Sequence, residues 1–220
     1  MSTHYRSGEE PTEDDIQAAL GEVIGILRAA GVPFLLIGGM SAATFARPRV
    51  TNDIDVFVRP ADARRALDAL AADDFEVEET DPTWLYKAWK HGVLVDVIFR
   101  SSGDLYLDDD MLARGNEREY LGITAPLVSP EDLVVIKALA AAEHSPRHWY
   151  DALAVIGRCE LDWDYVLGRA RLAGPRRLLS LLLYAESIDL AVPAEVIEEL
   201  FDVVHPRSVH PPSPSGQASP

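Results

Sequence analysis

Residues 34–55 combine a glycine pair that follows an apolar run with two aspartates that alternate with apolar residues. The run FLLIG predicts a buried strand that passes through Gly38-Gly39 into a short helix over 40–46. On the next strand, predicted at 51–58, Asp53 and Asp55 share one face because side chains two apart point the same way. The order of these features predicts a helix N terminus close to a pair of carboxylates.

A third aspartate, Asp96, interrupts the apolar strand pattern VLVDVIF. If this strand lies beside the one that carries Asp53 and Asp55, the three carboxylates converge. Like charges that close repel, and a divalent cation is the usual relief. Mg²⁺ prefers oxygen ligands, often one or two carboxylates together with substrate phosphates. The three aspartates therefore indicate a metal-dependent phosphoryl-transfer site that resembles two-metal centres.

The glycine pair would supply the other half of such a site. Backbone N–H groups at a helix N terminus attract anions, and the hydroxyl of Ser41 would add a donor. Each feature also has a simpler interpretation: Gly38-Gly39 as a tight turn, the two aspartates of the strand as a solvated sheet face, and Asp96 as part of a satisfied polar pair. The combination, in this order, favours the site.

Composition narrows the class of protein. With 36 acidic and 20 basic residues the net charge is -16, which disfavours general DNA binding. The apolar runs are too short for a membrane helix, and the polar, acidic start of the chain is unlike a signal peptide. Cys159 is the only cysteine, so no internal disulfide is expected. A cytoplasmic location is the default expectation.

Capping signals and periodicity predict an α+β fold. TEDD at 12–15 and SPED at 129–132 resemble helix N termini, each with an apolar helical pattern behind it. We expect an N-terminal α/β domain with a mixed sheet at 12–128 and a C-terminal helical bundle at 129–204. The proline- and serine-rich tail at 205–220 is predicted to be disordered.

Three strands are predicted at 75–79, 84–90 and 94–99, and a further single strand at 120–128. The acidic run at 108–110 is interpreted as a solvated loop.

The segment IGGMSAATFARPRVTNDIDVFV, with the later Asp96, resembles the nucleotidyltransferase superfamily related to DNA polymerase beta. Within it, the R-x-T-x-D-I-D form is similar to the AbiEii-like toxins and to minimal bacterial nucleotidyltransferases. SPEDLVVIKALA and RHWYDALAVI resemble the helical segment that follows the catalytic domain in many of these proteins. The resemblance spans about residues 34–156.

This resemblance implies a role for each matching residue. Asp53 and Asp55 would coordinate the metals that bridge a nucleoside triphosphate, and Asp96 would bind the acceptor-side metal and help deprotonate the attacking hydroxyl. The remaining implied contacts are Gly38, Gly39 and Ser41 on the β- and γ-phosphates, Lys137 on a phosphate, and Asp151 near the site. Arg49 would contact phosphate or brace the aspartates, and bracing fits better. Two Mg²⁺ ions are implied as cofactors.

Several functions remain open from the sequence. The resemblance implies transfer of a nucleoside monophosphate from a nucleoside triphosphate to a hydroxyl of tRNA or protein, as in a toxin paired with an antitoxin. A small-molecule nucleotidyltransferase of the antibiotic-modifying type is the alternative, as is a non-catalytic module that binds nucleotide or a partner. The acidic charge disfavours RNA unless arginines of the helical half form a basic groove, namely Arg147, Arg158, Arg169, Arg171, Arg176 and Arg177.

Overall fold

The computed structural model describes residues 10–46, 48–49 and 51–206. The helices are α1 (Glu13–Ala29), α2 (Gly38–Phe45), α3 (Pro60–Ala72), α4 (Asp109–Arg114), α5 (Pro130–Ala140), α6 (Arg147–Ile156), α7 (Trp163–Leu172), α8 (Pro175–Ser187) and α9 (Ala194–Val204). The strands are β1 (Phe34–Leu36), β2 (Asp53–Val58), β3 (Glu76–Asp81), β4 (Leu85–Lys90), β5 (Val93–Ile98), β6 (Asn116–Tyr120) and β7 (Ile123–Leu127). All but the first two residues of the predicted tail lie outside the described residues.

The strands form one sheet in the order β3-β4-β5-β2-β1-β7-β6. The pairs β2–β5 and β1–β7 are parallel, whereas β1–β2 and β4–β5 are antiparallel. The predicted α+β class with a mixed sheet is therefore confirmed. The strand with Asp96 lies directly beside the strand with Asp53 and Asp55, as the site requires.

Both predicted capping signals form. The Thr12 hydroxyl accepts the Asp15 N–H, and the Asp15 carboxylate accepts the Thr12 N–H, which completes a capping box at the start of α1. Ser129 accepts the Asp132 N–H at the start of α5, and Pro130 occupies its first turn.

Two apolar clusters cover the two faces of the sheet. Alternate β2 residues Ile54, Val56 and Val58 pack with α1 and α3. Phe57, on the other face, packs with the helices that follow residue 128. That second cluster joins residues on both sides of the predicted boundary, and the division into a catalytic domain and a helical bundle stays a prediction. None of the described helices is long and apolar enough to span a bilayer.

Four local predictions were wrong. The single strand predicted at 120–128 is a hairpin of β6 and β7, whose turn places Leu121 and Gly122 at positive φ. The run 108–110 is not a loop, because Asp108 caps α4 by accepting the Met111 N–H at 2.9 Å. The helix after β1 already begins at Gly38, and β2 begins only at Asp53.

Candidate active site

The three aspartates lie on one face of two neighbouring strands. Asp55 of β2 and Asp96 of β5 are register partners in the parallel pair, and Asp53 lies two residues before Asp55 on the same face. The predicted juxtaposition depended on β2 and β5 being adjacent, and the sheet order makes them so.

Mutual repulsion and burial both disfavour the ionised form of these carboxylates. Burial, together with the charges of Asp53 and Asp96, raises the pKa of Asp55 to about 7. Part of the Asp55 residue still reaches solvent, so the carboxylate is enclosed mainly on its protein side. Burial also raises the pKa of Asp96, against the opposing effect of Lys87, whose Nζ donates to Asp96 Oδ1 at 2.6 Å. Such a cluster of carboxylates is stabilised by a bound cation.

Gly38 and Gly39 make room for side chains from β2 and the residues before it. Gly38 has φ +70°, and a Cβ there would lie 1.7 Å from Asp55 Oδ2. A Cβ on Gly39 would lie 2.5 Å from Thr51 Oγ1. The Gly39 N–H donates to the Asp55 carboxylate, so this N–H of the α2 N terminus is already used within the fold, and a phosphate contact by Gly38 and Gly39 stays a prediction.

The substitution Gly38→Ala tests this close approach. We expect it to lower the free energy of unfolding by about 1–3 kcal/mol, because the methyl group displaces the carboxylate and an alanine is strained at positive φ. The matched change Gly25→Ala, in the middle of α1 where a Cβ meets nothing within 4 Å, should instead stabilise by about 0.5–1 kcal/mol. Urea denaturation of both variants measures the two effects, and an equal response at both positions would contradict the assignment.

A buried basic cluster lies on the helical side of the aspartates. Lys137 Nζ on α5 contacts Asp151 Oδ2 on α6 at 3.1 Å, and these side chains are 3% and 0% exposed. Arg49 reaches the same oxygen at 3.4 Å. Burial lowers the pKa of Lys137 while Asp151 opposes the shift, and Lys137 is close enough to Asp55 to lower the pKa of that carboxyl. Arg49 therefore braces Asp151 rather than the pair on β2.

The hydroxyl of Ser41 has a different environment from the one expected. Ser41 is fully buried, and its Oγ donates to the backbone carbonyl of Leu36 at 2.9 Å. A phosphate contact by this hydroxyl stays a prediction, and in this arrangement its proton is already used within the fold.

Three residues near the site were not among the predicted site residues. Lys87 binds Asp96, and Thr51 donates to Asp53 Oδ1. His148 Nδ1 lies 3.4 Å from Lys137 Nζ, and burial with the nearby positive charges of Lys137 and Arg147 lowers the pKa of the imidazole to about 4. The sequence carried a signal for His148, because it lies one helical turn before Asp151.

The oxygen ligands present suit a hard cation such as Mg²⁺. Asp53 and Asp55 offer two carboxylates on one face, within the number that Mg²⁺ commonly takes from protein. Within the described ranges, no group of three or more His, Cys, Asp or Glu side chains is arranged to hold a metal ion. Asp53 and Asp55 are the residues that would hold a magnesium ion at this site.

A cavity of about 300 Å³ adjoins the site through Arg49. Its other walls come from the start of α1, from α2 and from the β6–β7 hairpin: Glu13, Ile16, Ala43, Pro48, Tyr120 and Leu121. Among the described residues that line it, none is an aspartate of the candidate site.

Several solved structures are similar to this chain at low sequence identity. An antigenic nucleotidyltransferase-like protein from Paracoccidioides brasiliensis matches 87% of this chain and 92% of its own, with 14% identity and a TM-score of 0.50. The lincosamide antibiotic adenylyltransferase LnuA, with lincomycin bound, matches 67% of this chain and 98% of its own, with 12% identity and a TM-score of 0.48. The antibiotic-resistance factor ANT(2'')-Ia matches 80% of this chain and 94% of its own, with 14% identity and a TM-score of 0.49.

No curated protein matches the chain in sequence. The sequence model of a family described as "Uncharacterised nucleotidyltransferase" matches residues 11–187, which include all three aspartates together with Arg49 and Lys137. Because this match covers most of the 220 residues, the chain belongs to that family of nucleotidyltransferases.

Proposed function

We propose that this protein transfers a nucleoside monophosphate from a magnesium–nucleoside triphosphate to a hydroxyl group of a small molecule. The observation that carries the proposal is the row of Asp53, Asp55 and Asp96 on adjacent strands beside the N terminus of α2. Family membership supports the reaction class, and the arrangement of charges supports the kind of acceptor.

The roles of the aspartates follow from their positions. Asp53 and Asp55 would hold a magnesium ion, which would neutralise the negative charge that develops on the triphosphate during transfer. The acceptor oxygen forms a bond to the α-phosphorus while the bond from that phosphorus to pyrophosphate breaks. Asp96 accepts the proton of the attacking hydroxyl, and the burial that raises the pKa of Asp96 makes it a stronger base.

Lys137 and Arg49 would supply positive charge to the phosphates of the nucleotide. Arg49 lies at the N terminus of α2, where a Cβ on Gly39 would be 3.0 Å from its guanidinium, and Lys137 is close enough to Asp55 to lower the pKa of that carboxyl. The dipole of α2 adds to the field of these two cations. Because Asp151 binds both cations, it fixes their positions before a nucleotide arrives.

The arginines of the helical half do not support a groove for RNA. Arg158 donates to the Ala46 carbonyl, and Arg177 to the Ala141 carbonyl. Arg171 pairs with Glu199, and Arg169 is 3% exposed in a pair with Asp132. Four of the six arginines therefore already have partners in the fold, and with a net charge of -16 a neutral or cationic small acceptor fits better than a polyanion.

Radiolabel transfer tests the proposal. The protein is incubated with Mg²⁺ and each α-labelled triphosphate, together with total RNA, lysate protein, or a panel of hydroxyl-bearing small molecules that includes cationic antibiotics. We expect pyrophosphate release and label in the small-molecule fraction. Transfer should be lost on EDTA addition, and Asp53→Asn should lower it by at least about 100-fold because the metal loses a ligand.

Three other outcomes would contradict the proposal, each in a different part. Label on RNA or on protein would overturn the small-molecule acceptor and favour the toxin-like alternative, in which a cognate antitoxin is the natural partner. Nucleotide binding without transfer to any acceptor would overturn the enzymatic proposal and favour a non-catalytic module. Undiminished transfer by Asp53→Asn would refute the assigned metal ligands.

A further inference from the structure

A lysine lies in line with two of the aspartates across three neighbouring strands. Lys87 on β4 is the register partner of Asp96 on β5, and Asp96 is the register partner of Asp55 on β2. Register partners on adjacent strands point to the same face, so the row carries one positive and then two negative side chains.

The lysine already neutralises one of these carboxylates. Lys87 Nζ is 2.6 Å from Asp96 Oδ1, and the two side chains are 21% and 18% exposed. A short contact of this kind between partly buried charges is stronger than a surface pair. A metal ion that sought Asp96 as a ligand would have to displace or repel this ammonium group.

The other two carboxylates have no lysine at such a distance among the contacts of the described residues. Asp53 accepts from the neutral hydroxyl of Thr51, and Asp55 accepts from the Gly39 N–H. Negative charge that remains without a directly bound cation is therefore concentrated at Asp53 and Asp55. This asymmetry agrees with the finding that no three metal-ligating side chains in the described ranges converge on one point.

We propose that the site takes a single divalent cation, held by Asp53 and Asp55, and that Lys87 supplies the second positive charge beside Asp96. This inference rests on the proposed nucleotidyl transfer, and it replaces the acceptor-side ion of a two-metal site by a side chain of this protein. Lys87 is then a positioning residue: it holds Asp96 through Oδ1 and leaves Oδ2 to accept the proton of the acceptor hydroxyl.

Counting Mn²⁺ ions tests the inference without turnover. Free Mn²⁺ is followed by electron paramagnetic resonance as the metal is titrated into the full-length protein, and sites on the acidic surface are subtracted with Asp53→Asn. We expect one Asp53-dependent ion in the wild type, and Asp96→Asn should keep that ion with an affinity lowered by about tenfold at most, because a nearby charge but no ligand is removed. Lys87→Met should add a second ion at Asp96 or tighten Mn²⁺ binding by about tenfold or more, because a unit positive charge close to a partly buried metal is removed.

Two further variants make the test specific. Lys87→Met/Asp96→Asn should lose the additional binding, because the new ligand is absent. Lys90→Met is the matched control: it lies on the same strand with a 24% exposed side chain, but it points to the opposite face and pairs with Glu22. It should bind Mn²⁺ as the wild type does.

The inference is overturned if Asp96→Asn loses this ion as Asp53→Asn does, if the wild type binds two ions that depend on the aspartates, or if it binds none. It is also overturned if folded Lys87→Met behaves like Lys90→Met. The Asp96→Asn result decides the matter even if Lys87→Met does not fold. Since Mn²⁺ is counted in the absence of substrate, failure to transfer a nucleotide would overturn the proposed function and leave this count standing.

Discussion

Replacing Asp55 by asparagine is expected to stabilise the protein at pH 8 and, at the same time, to abolish nucleotidyl transfer. The two effects have opposite signs because the carboxylate that would hold magnesium is unfavourable in the fold itself. Burial and the charges of Asp53 and Asp96 raise the pKa of Asp55 from 3.8 to about 7. Asparagine keeps the shape and can accept the Gly39 N–H through its amide oxygen, but it carries no charge.

The direction of the pH dependence follows from linkage. Because the pKa of Asp55 is higher in the folded state, its proton favours folding, and this stabilisation is lost as the pH rises from 3.8 through about 7. The advantage of Asp55→Asn should grow from about 1–2 kcal/mol at pH 5 to about 4 kcal/mol at pH 8. Denaturant titrations at both pH values, with EDTA present, measure the difference in free energy of unfolding.

Added metal should reverse part of this result. Mg²⁺ binds the folded wild type more tightly than the variant, so it should narrow the stability difference at pH 8. Asp68→Asn, an exposed change on α3, is the control and should show no comparable dependence on pH. An Asp55→Asn advantage that is the same at pH 5 and pH 8 would contradict the assigned cause.

The alternation of Asp53, Asp55 and Asp96 with apolar residues was sufficient to predict their common face. Their approach depended on one further fact, the adjacency of β2 and β5, which the lengths and patterns of the strands did not determine. The position of Lys87 was available in principle. A two-residue turn at 91–92 pairs residue 90 with 93, and counting back along both strands pairs 87 with 96.

Other features depend on tertiary contacts that no local pattern records. The contact between the glycine pair and Asp55 could not be predicted, because it depends on the positive φ of Gly38, at which the start of α2 lies against β2. The turn between β6 and β7 was missed because Leu121, a bulky residue, adopts a positive φ that ordinarily favours glycine or asparagine. The burial of Lys137 follows from the packing of α5 against α6, which its helical position alone did not indicate.

Lys137→Met should be among the most destabilising single substitutions in the protein. It removes the cation 3.1 Å from Asp151, a carboxylate with no solvent exposure. Breaking a buried ion pair from one side typically costs about 3–5 kcal/mol, and Arg49, 3.4 Å from the same oxygen, should hold the loss near about 3 kcal/mol. Urea denaturation at pH 7 measures this loss.

The double variant Lys137→Met/Asp151→Leu separates stability from function. Replacing both charges by apolar side chains removes the uncompensated carboxylate, so most of the lost stability should return. If Lys137 also contacts phosphate, the double variant remains defective, with a raised KM for the triphosphate. A double variant that stays as unstable as Lys137→Met would contradict the ion-pair account.

Arg169→Met is the matched control for an effect of Lys137 on binding of the triphosphate. Its side chain is also 3% exposed, and its Nε lies 3.0 Å from Asp132 Oδ1, a carboxylate without solvent exposure. Arg169→Met should therefore lower stability by a similar amount, yet leave the KM for the triphosphate unchanged in the protein that remains folded. Equal changes of KM in Arg169→Met and in Lys137→Met/Asp151→Leu would mean that Lys137 has a structural role alone. Binding of the phosphates would then depend on the N terminus of α2, Arg49 and magnesium.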